Sequence, residues 1–460
     1  MKQNKVLRYF AILLVLCLLT MVMTACETRS SYQNFLNANS AAEESRTATT
    51  TTTGENEPGT TTATEPGTTT AEPGTTQTPN TSITTGSGSN KEPVSSGTTA
   101  NKETNIIQNE IVINGAGSTD VSYAAASGLR SIVSIYASKS GSSVSGGSGV
   151  IYRIDEETGS ALVITNYHVV SASNSICDTI ELYLFGMEYS DYTIPATYVG
   201  GSANYDLAVL YVQDSSVLKN AIANGSVAAA TIANSETVAA GQSVIAIGNP
   251  NSDGISVTTG VVSVDSEYIT MTATNSTSQV EFRVIRIDAA VNFGNSGGGL
   301  FNTKGELIGI VNAKISSSDV ENIGYAIPSN VARAISDNII DYCFGKTGKT
   351  VMRAMLGIEI KTLSVSTVYN DETGMLQIVQ EIGVHSVSAG GLGESILKVD
   401  DVIKSISINE KKTVITRQHQ VIDTMLDARV GDTVSFEIVR GGVTMTVSTT
   451  VTSACLTEYA

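Results

Sequence analysis

Gly294-Asn295-Ser296-Gly297-Gly298 places one serine in a turn that three glycines make tight. Glycine accepts left-handed backbone and lets the main chain pass close to a reacting atom. The N–H groups of Gly294 and Ser296 are therefore candidates to converge on one developing oxyanion beside the serine Oγ. Upstream, Ile164-Thr165-Asn166-Tyr167-His168-Val169-Val170 sets a histidine just past an apolar strand. The chain has only three histidines, and His168 is the one in the first β-rich stretch, whereas His385 and His419 fall later and are expected at a surface or groove. Tyr205-Asp206-Leu207-Ala208-Val209-Leu210 opens a further apolar strand with a carboxylate, whose burial would demand a partner. Taken singly, these are a turn histidine, a strand-start cap and a hairpin turn.

Together they follow the chain order His, Asp, Ser, each beside a strand, which is the order of the chymotrypsin-type triad. In that arrangement His168 takes the proton of Ser296 and gives it to the leaving amine, while Asp206 holds the imidazole tautomer. Short Val/Ile-rich runs surround the three: Ile132 to Tyr136, Ala161 to Thr165, Thr179 to Phe185, Leu207 to Val212, Ser243 to Ile247, Val257 to Val264, Phe282 to Ile287 and Leu307 to Val311. Gly, Asn, Asp and Ser punctuate them, the signature of an antiparallel sandwich or barrel. After Pro328 the pattern predicts a helix to Cys343 with Ser329 as N-cap, and Gly345-Lys346-Thr347-Gly348 reads as a linker. From Met352 a second β-rich unit follows, with strands near Leu356 to Ile360, Leu376 to Gln380, Val402 to Ile408 and Val434 to Val439, and a helix near Gln418 to Ala428.

The 460 residues allow about three segments, and aromatics at 5% with no Trp fit a mostly β chain better than an all-helical one. Lys and Arg number 27 against 44 Asp and Glu, a net charge of −17 that removes any general reason to expect nucleic acid. Five scattered cysteines, with no C-x-x-C pair, provide no disulfide scaffold or evident zinc site, so no metal or cofactor is expected. Lys2, Lys5 and Arg8 precede an apolar run from Tyr9 to Met23, which reads as an export signal. The run ends in Met23-Thr24-Ala25-Cys26, which resembles a bacterial lipobox; Cys26 is then the lipidated residue, the alternatives being an uncleaved anchor helix or an ordinary signal peptide in which Cys26 is incidental. Thr47 to Thr85 is rich in threonine and repeats Glu-Pro-Gly-Thr-Thr, a composition that predicts a disordered stalk because it cannot bury enough apolar surface to offset ordering.

Further blocks carry a family resemblance. Gly147-Ser148-Gly149-Val150, Gly248-Asn249-Pro250, Val257-Thr258-Thr259-Gly260-Val261-Val262-Ser263, Asp288-Ala289-Ala290 and Gly324-Tyr325-Ala326-Ile327-Pro328-Ser329 join the three site blocks in order. From about Ile132 to Val451 the chain resembles the HtrA/Deg family of envelope serine proteases. The resemblance implies a mostly β fold, a chymotrypsin-like double β-barrel followed by a PDZ domain. The segments expected are a lipoprotein-type signal peptide over 1–25, a disordered linker over 26–120, a protease domain over 121–345 and the PDZ domain over 350–455. Asn295 stands where zymogen-activated relatives carry Asp, which argues against activation by a freed N-terminus. Ala290 resembles the base of the specificity pocket and favours small or medium aliphatic residues; Asn312, Ala313 and Lys314 form the neighbouring edge. Leu356, Gly357 and Ile358 resemble a carboxylate-binding loop for C-terminal peptides, with Arg353 just before it, and Asp400 replaces a glycine in the family's following turn. The implied role is an endopeptidase for unfolded or damaged envelope proteins, a homo-oligomer (trimeric by resemblance), held at the outer face of the cell membrane. The competing readings are an envelope chaperone or peptide-binding scaffold with minor proteolysis, and a regulatory protease with one client.

Overall fold

The computed structural model describes residues 121–187, 192–250, 253–274, 279–313, 323–371 and 374–459. The export signal, Cys26, the threonine-rich segment and Lys314 lie outside the described residues. A helix, Val121–Leu129, leads into β1 (Ile132–Lys139), β2 (Ser142–Asp155) and β3 (Ser160–Thr165). A small hairpin, β4 (Ser171–Ala172) and β5 (Ser175–Ile176), precedes β6 (Thr179–Leu184), β7 (Ile194–Ser202) and β8 (Leu207–Val212). Strands β1-β2-β3-β8-β7-β6 close into a barrel. Its interior holds Val133, Ile135, Val163, Leu182 and Leu210, and burying each such side chain contributes about 1.5–3 kcal/mol.

A second barrel, in the order β10-β11-β14-β13-β12-β9, follows the helix Ser216–Ala223. Its strands are β9 (Ser243–Gly248), β10 (Ser256–Thr272), β11 (Gln279–Ile287), β12 (Gly299–Phe301), β13 (Leu307–Val311) and β14 (Gly324–Pro328). Val244, Ile285, Leu300 and Val311 fill it. A larger cluster that includes Ile132, Ile164, Phe301, Ile327 and Ile335 packs the barrels and the helix Ser329–Cys343 together. That helix has the expected bounds but a different cap. Pro328 is the N-cap residue, and the Ser329 hydroxyl, already inside the helix, donates to Ala233 O at 2.7 Å. Among the described residues, no helix is long and apolar enough to cross a membrane.

Beyond residues 344–350 come β15 (Val351–Ala354), β16 (Ile358–Asn370), β17 (Met375–Val387), β18 (Val402–Ile408), β19 (Lys411–Val414), β20 (Thr433–Arg440), β21 (Val443–Thr450) and β22 (Leu456–Tyr459). Five form a sheet in the order β16-β17-β18-β20-β21 with β19 added to β18, and β15 pairs with β22, past the expected end of this unit at 455. Asp400 takes φ 69°, the left-handed backbone for which glycine is the usual residue.

The helix Gln418–Met425 of this unit meets the second barrel through charges around the buried Arg283. Arg283 of β11 reaches Glu236 at 2.8 Å and Asp423 at 2.6 Å, and Arg417 pairs with Asp265. His419 was expected at a surface or groove, yet it is 4% exposed. Its Nε2 donates to Glu236 at 2.9 Å and its Nδ1 faces Ser266 Oγ at 3.3 Å. Sequence periodicity could not reveal this, because the partners lie more than 150 positions upstream.

Burial alone would raise the Glu236 carboxyl, but the hydrogen bond from His419 and the charge of Arg283 outweigh it and hold the group down to about 2. A depressed carboxyl stabilises the fold fully above its ordinary pKa near 4.5, and this stabilisation is lost as pH falls from there through about 2. The shift corresponds to something on the order of 3 kcal/mol at neutral pH. Glu236→Gln should therefore destabilise by about 2–3 kcal/mol at pH 7. Urea unfolding of both proteins from pH 7 to pH 3 should show the gap narrowing below pH 4.5; a constant gap would contradict the assignment.

Candidate active site

Strand pairing brings the first two candidates together. Thr165 at the end of β3 faces Ala208 near the start of β8, so the residues just past β3 and just before β8 are neighbours. Tyr167–Val169 forms one 3₁₀ turn carrying His168, and the Asn166 amide fastens it by donating to Asp206 O at 2.8 Å. Asp206 takes φ 51°, a left-handed conformation that costs a non-glycine residue roughly 1 kcal/mol or more.

Asp206 is 0% exposed, so its carboxylate needs donors on both oxygens. Oδ2 accepts from His168 Nδ1 at 2.6 Å and from Asn312 Nδ2 at 2.8 Å. Oδ1 accepts from the His168 backbone N–H at 3.0 Å and from Thr274 Oγ1 at 3.3 Å. Because an ionised carboxylate only accepts, Nδ1 is the donor in this bond and Nε2 is the ring nitrogen that Asp206 does not engage. The His168 side chain is 20% exposed, so the ring is reachable from solvent.

Ser296 comes from the second barrel, three residues before β12. Asn295 N–H donates to Asn292 O at 3.0 Å with Gly294 at φ 95°, the hydrogen bond and third-residue geometry of a type II turn. Gly297 follows at φ 83°, its N–H on Val311 O at 2.9 Å, which ties the serine turn to β13. Ser296 is 4% exposed, and its Oγ accepts from Ala313 N–H at 3.1 Å. That bond occupies an acceptor site and leaves the hydroxyl proton to be given away.

The expected pocket residues are distributed unevenly. Ala290 is exposed, with its carbonyl accepting from Thr258 Oγ1 at 2.9 Å. Ala313 is buried against Ser296, while the Asn312 side chain turns toward Asp206. Thr274 joins the same carboxylate without any signal in the sequence, since a threonine at a strand end is unremarkable until the fold closes. In the C-terminal unit, Leu356, Gly357 and Ile358 are half-buried, and Gly357 takes φ 70°. A Cβ there would lie 2.7 Å from Gly391 Cα, so only glycine lets the two loops pass. Arg353 bonds Tyr205 OH at 3.2 Å and stacks over the Tyr459 ring at 4.3 Å. Among the described residues, Glu236, His419 and Asp423 bring ligand-type atoms within 4.8 Å of one another. The Arg283 guanidinium already pairs with both carboxylates, so the cation at this point is the protein's own.

Two closed barrels with a buried aspartate, a histidine and a glycine-flanked serine at their junction define a trypsin-like peptidase fold, and residues 147–310 match the family profile of a trypsin-like peptidase domain. The serine protease Do-like HtrA of Bacillus subtilis (strain 168) is 34% identical over 307 residues, covering 65% of this chain and 62% of that protein. Its counterpart in Lactococcus lactis subsp. cremoris (strain MG1363) is 32% identical over 335 residues, covering 68% of this chain and 74% of that one. A solved HtrA-type protease, AlgW with tripeptide, aligns at TM-score 0.47 and 27% identity, covering 74% of this chain and 97% of that chain. The chain belongs to the HtrA/Deg serine protease family, and it spans about 62% of the length of its Bacillus relative.

Gly297 gives the site's geometry a direct test. A Cβ there would sit 2.1 Å from Ser148 O and 2.3 Å from Thr165 Oγ1, on a backbone at φ 83°. Gly297→Ala should cost about 3 kcal/mol or more, combining left-handed strain with overpacking. Denaturant unfolding measures it, and a change below about 1 kcal/mol would contradict the described turn.

Proposed function

We propose that this chain is a serine endopeptidase of the cell envelope that hydrolyses peptide bonds in unfolded or damaged proteins. The observation that carries it is the 2.6 Å contact between His168 Nδ1 and a fully buried, four-donor Asp206. A carboxylate held this way fixes the tautomer of His168 and stabilises the imidazolium formed when the ring takes a proton. Ser296 Oγ attacks the scissile carbonyl as its proton passes to His168 Nε2. The Gly294 and Ser296 N–H groups receive the oxyanion, and the imidazolium then protonates the leaving amine. Water repeats the sequence on the acyl-enzyme and frees the serine.

Cleavage after small or medium aliphatic residues follows from Ala290, which offers no charge for Lys or Arg. The C-terminal unit, 350–455, acts as a PDZ domain in this proposal. The backbone around Leu356, Gly357 and Ile358 receives a C-terminal carboxylate, and the peptide adds a strand to the open edge of β16. Two features support the loop's shape: Gly357 is left-handed, and the Met355 and Leu356 carbonyls are tied to the Leu392 and Gly393 N–H groups at 2.9 and 2.8 Å. The segment before residue 121 supplies export, attachment through Cys26 or an anchor helix, and reach. Assembly into homo-oligomers completes the reading.

Ser296→Ala should abolish hydrolysis of unfolded casein, a loss of at least 10³-fold, while leaving the denaturant midpoint nearly unchanged. Casein cleavage that survives the substitution would assign the activity elsewhere and favour a scaffold role. A peptide with a free apolar C-terminus should bind in the micromolar range, about −8 kcal/mol, and its amidated twin much more weakly. Calorimetry with both peptides checks this; equal affinities would remove the carboxylate loop from the proposal.

A further inference from the structure

We propose that Ser148 is a positioning residue that registers the oxyanion-binding turn against His168, an inference that rests on the hydrolase reading above. Ser148 lies in β2 of the first barrel and is 0% exposed. Its backbone N–H donates to Ser296 O at 2.8 Å, and its hydroxyl donates to Gly294 O at 2.7 Å. Those are the carbonyls of the two residues whose amides receive the oxyanion. One residue thus holds the peptide plane that follows each donor.

The remaining polar groups of Ser148 are also engaged. Its Oγ accepts from Asn249 N–H at 2.8 Å, at the end of β9, and its carbonyl accepts from Thr165 Oγ1 at 2.7 Å. Thr165 ends β3, three positions before His168. A path of short hydrogen bonds therefore runs from the strand that delivers the base, through Ser148, to the turn that delivers the nucleophile. The barrels are separate sheets, so their relative placement at the reacting atoms depends on such cross-barrel contacts. A site that loosens by a fraction of an ångström loses much of its electrostatic preorganisation.

The hydroxyl is specifically required. Its position needs one group that donates to a carbonyl and accepts from an N–H at once, which alanine cannot do and a thiol does poorly. Ser148→Ala would leave Gly294 O and the Asn249 N–H without this partner inside the protein.

The test uses the full chain, unfolded casein and a peptide boronate whose tetrahedral serine adduct places an oxygen where the oxyanion forms. Ser148→Ala should lower kcat about 10- to 100-fold, less than outright loss of an oxyanion donor, with KM within about threefold. Boronate affinity should fall by a similar factor. Peptide binding should be the same in Ser296→Ala with and without Ser148→Ala, since the ground state makes no use of the oxyanion site. A kcat within twofold of wild type, unchanged boronate affinity, or an equal loss of ground-state binding would overturn the proposal. Ser148→Cys keeps a group that can donate and accept, slightly larger and with a weaker donor, and should show a smaller loss in the same direction. If Ser148→Ala does not fold, full activity in Ser148→Cys overturns the proposal. A wild type that neither cleaves casein nor binds the boronate overturns the hydrolase reading and this one with it.

Discussion

Asp206 is a carboxylate with no exposed surface, and such a group must either find donors or give up its charge. Its donors come from three places far apart in sequence: the turn after β3, Thr274 just past β10 and Asn312 just past β13. Two of the three belong to the second barrel. Satisfying this one side chain therefore requires both barrels to be closed and docked, so the packing that forms the core also sets the geometry around His168 and Asp206. The left-handed backbone at Asp206 is a local cost held in place by those bonds.

The same logic extends toward the C-terminus. Tyr205, next to Asp206, packs on the Tyr459 ring at 5.1 Å and meets Arg353. The last strand thus touches the residue adjoining the buried carboxylate. A second set of contacts, from Arg283 and Glu236 to His419 and Asp423, joins barrel two to the helix Gln418–Met425. These charges are largely withdrawn from water, so they attract one another more strongly than charges across a solvated seam would.

What the sequence made legible follows what local pattern can encode. Leu207–Val212 and Leu307–Val311 are unbroken apolar runs, and they are strands over those residues. Ser142–Asp155 opens with Ser and Gly at most positions, and half of Val443–Thr450 is threonine, so neither reads as a Val/Ile-rich run although both are strands. Ser329 looked like a cap because a serine after Pro328 has the right chemistry, but the Ala233 carbonyl claims its hydroxyl. His168, Asp206 and Ser296 can be picked out as candidates because each sits in its own short motif, and the structure pairs the first two at 2.6 Å. Thr274, Ser148 and the second role of Asn312 cannot, since their importance lies in a hydrogen bond to a residue brought near only by the closed barrels. The burial of His419 is hidden for the same reason: nothing around it in sequence announces Glu236.

In the proposed mechanism Ser296 is a nucleophile activated by His168 and Asp206. Mass spectrometry after brief exposure to a fluorophosphonate tests it most directly, because such a reagent phosphonylates only a serine whose oxygen is made reactive by an adjacent base. One adduct per chain is expected, located on the peptide containing Ser296, with labelling slowed by at least about 100-fold in Asp206→Asn. An adduct spread over other serines, or labelling of Ser296 at the same rate without the Asp206 carboxylate, would contradict it.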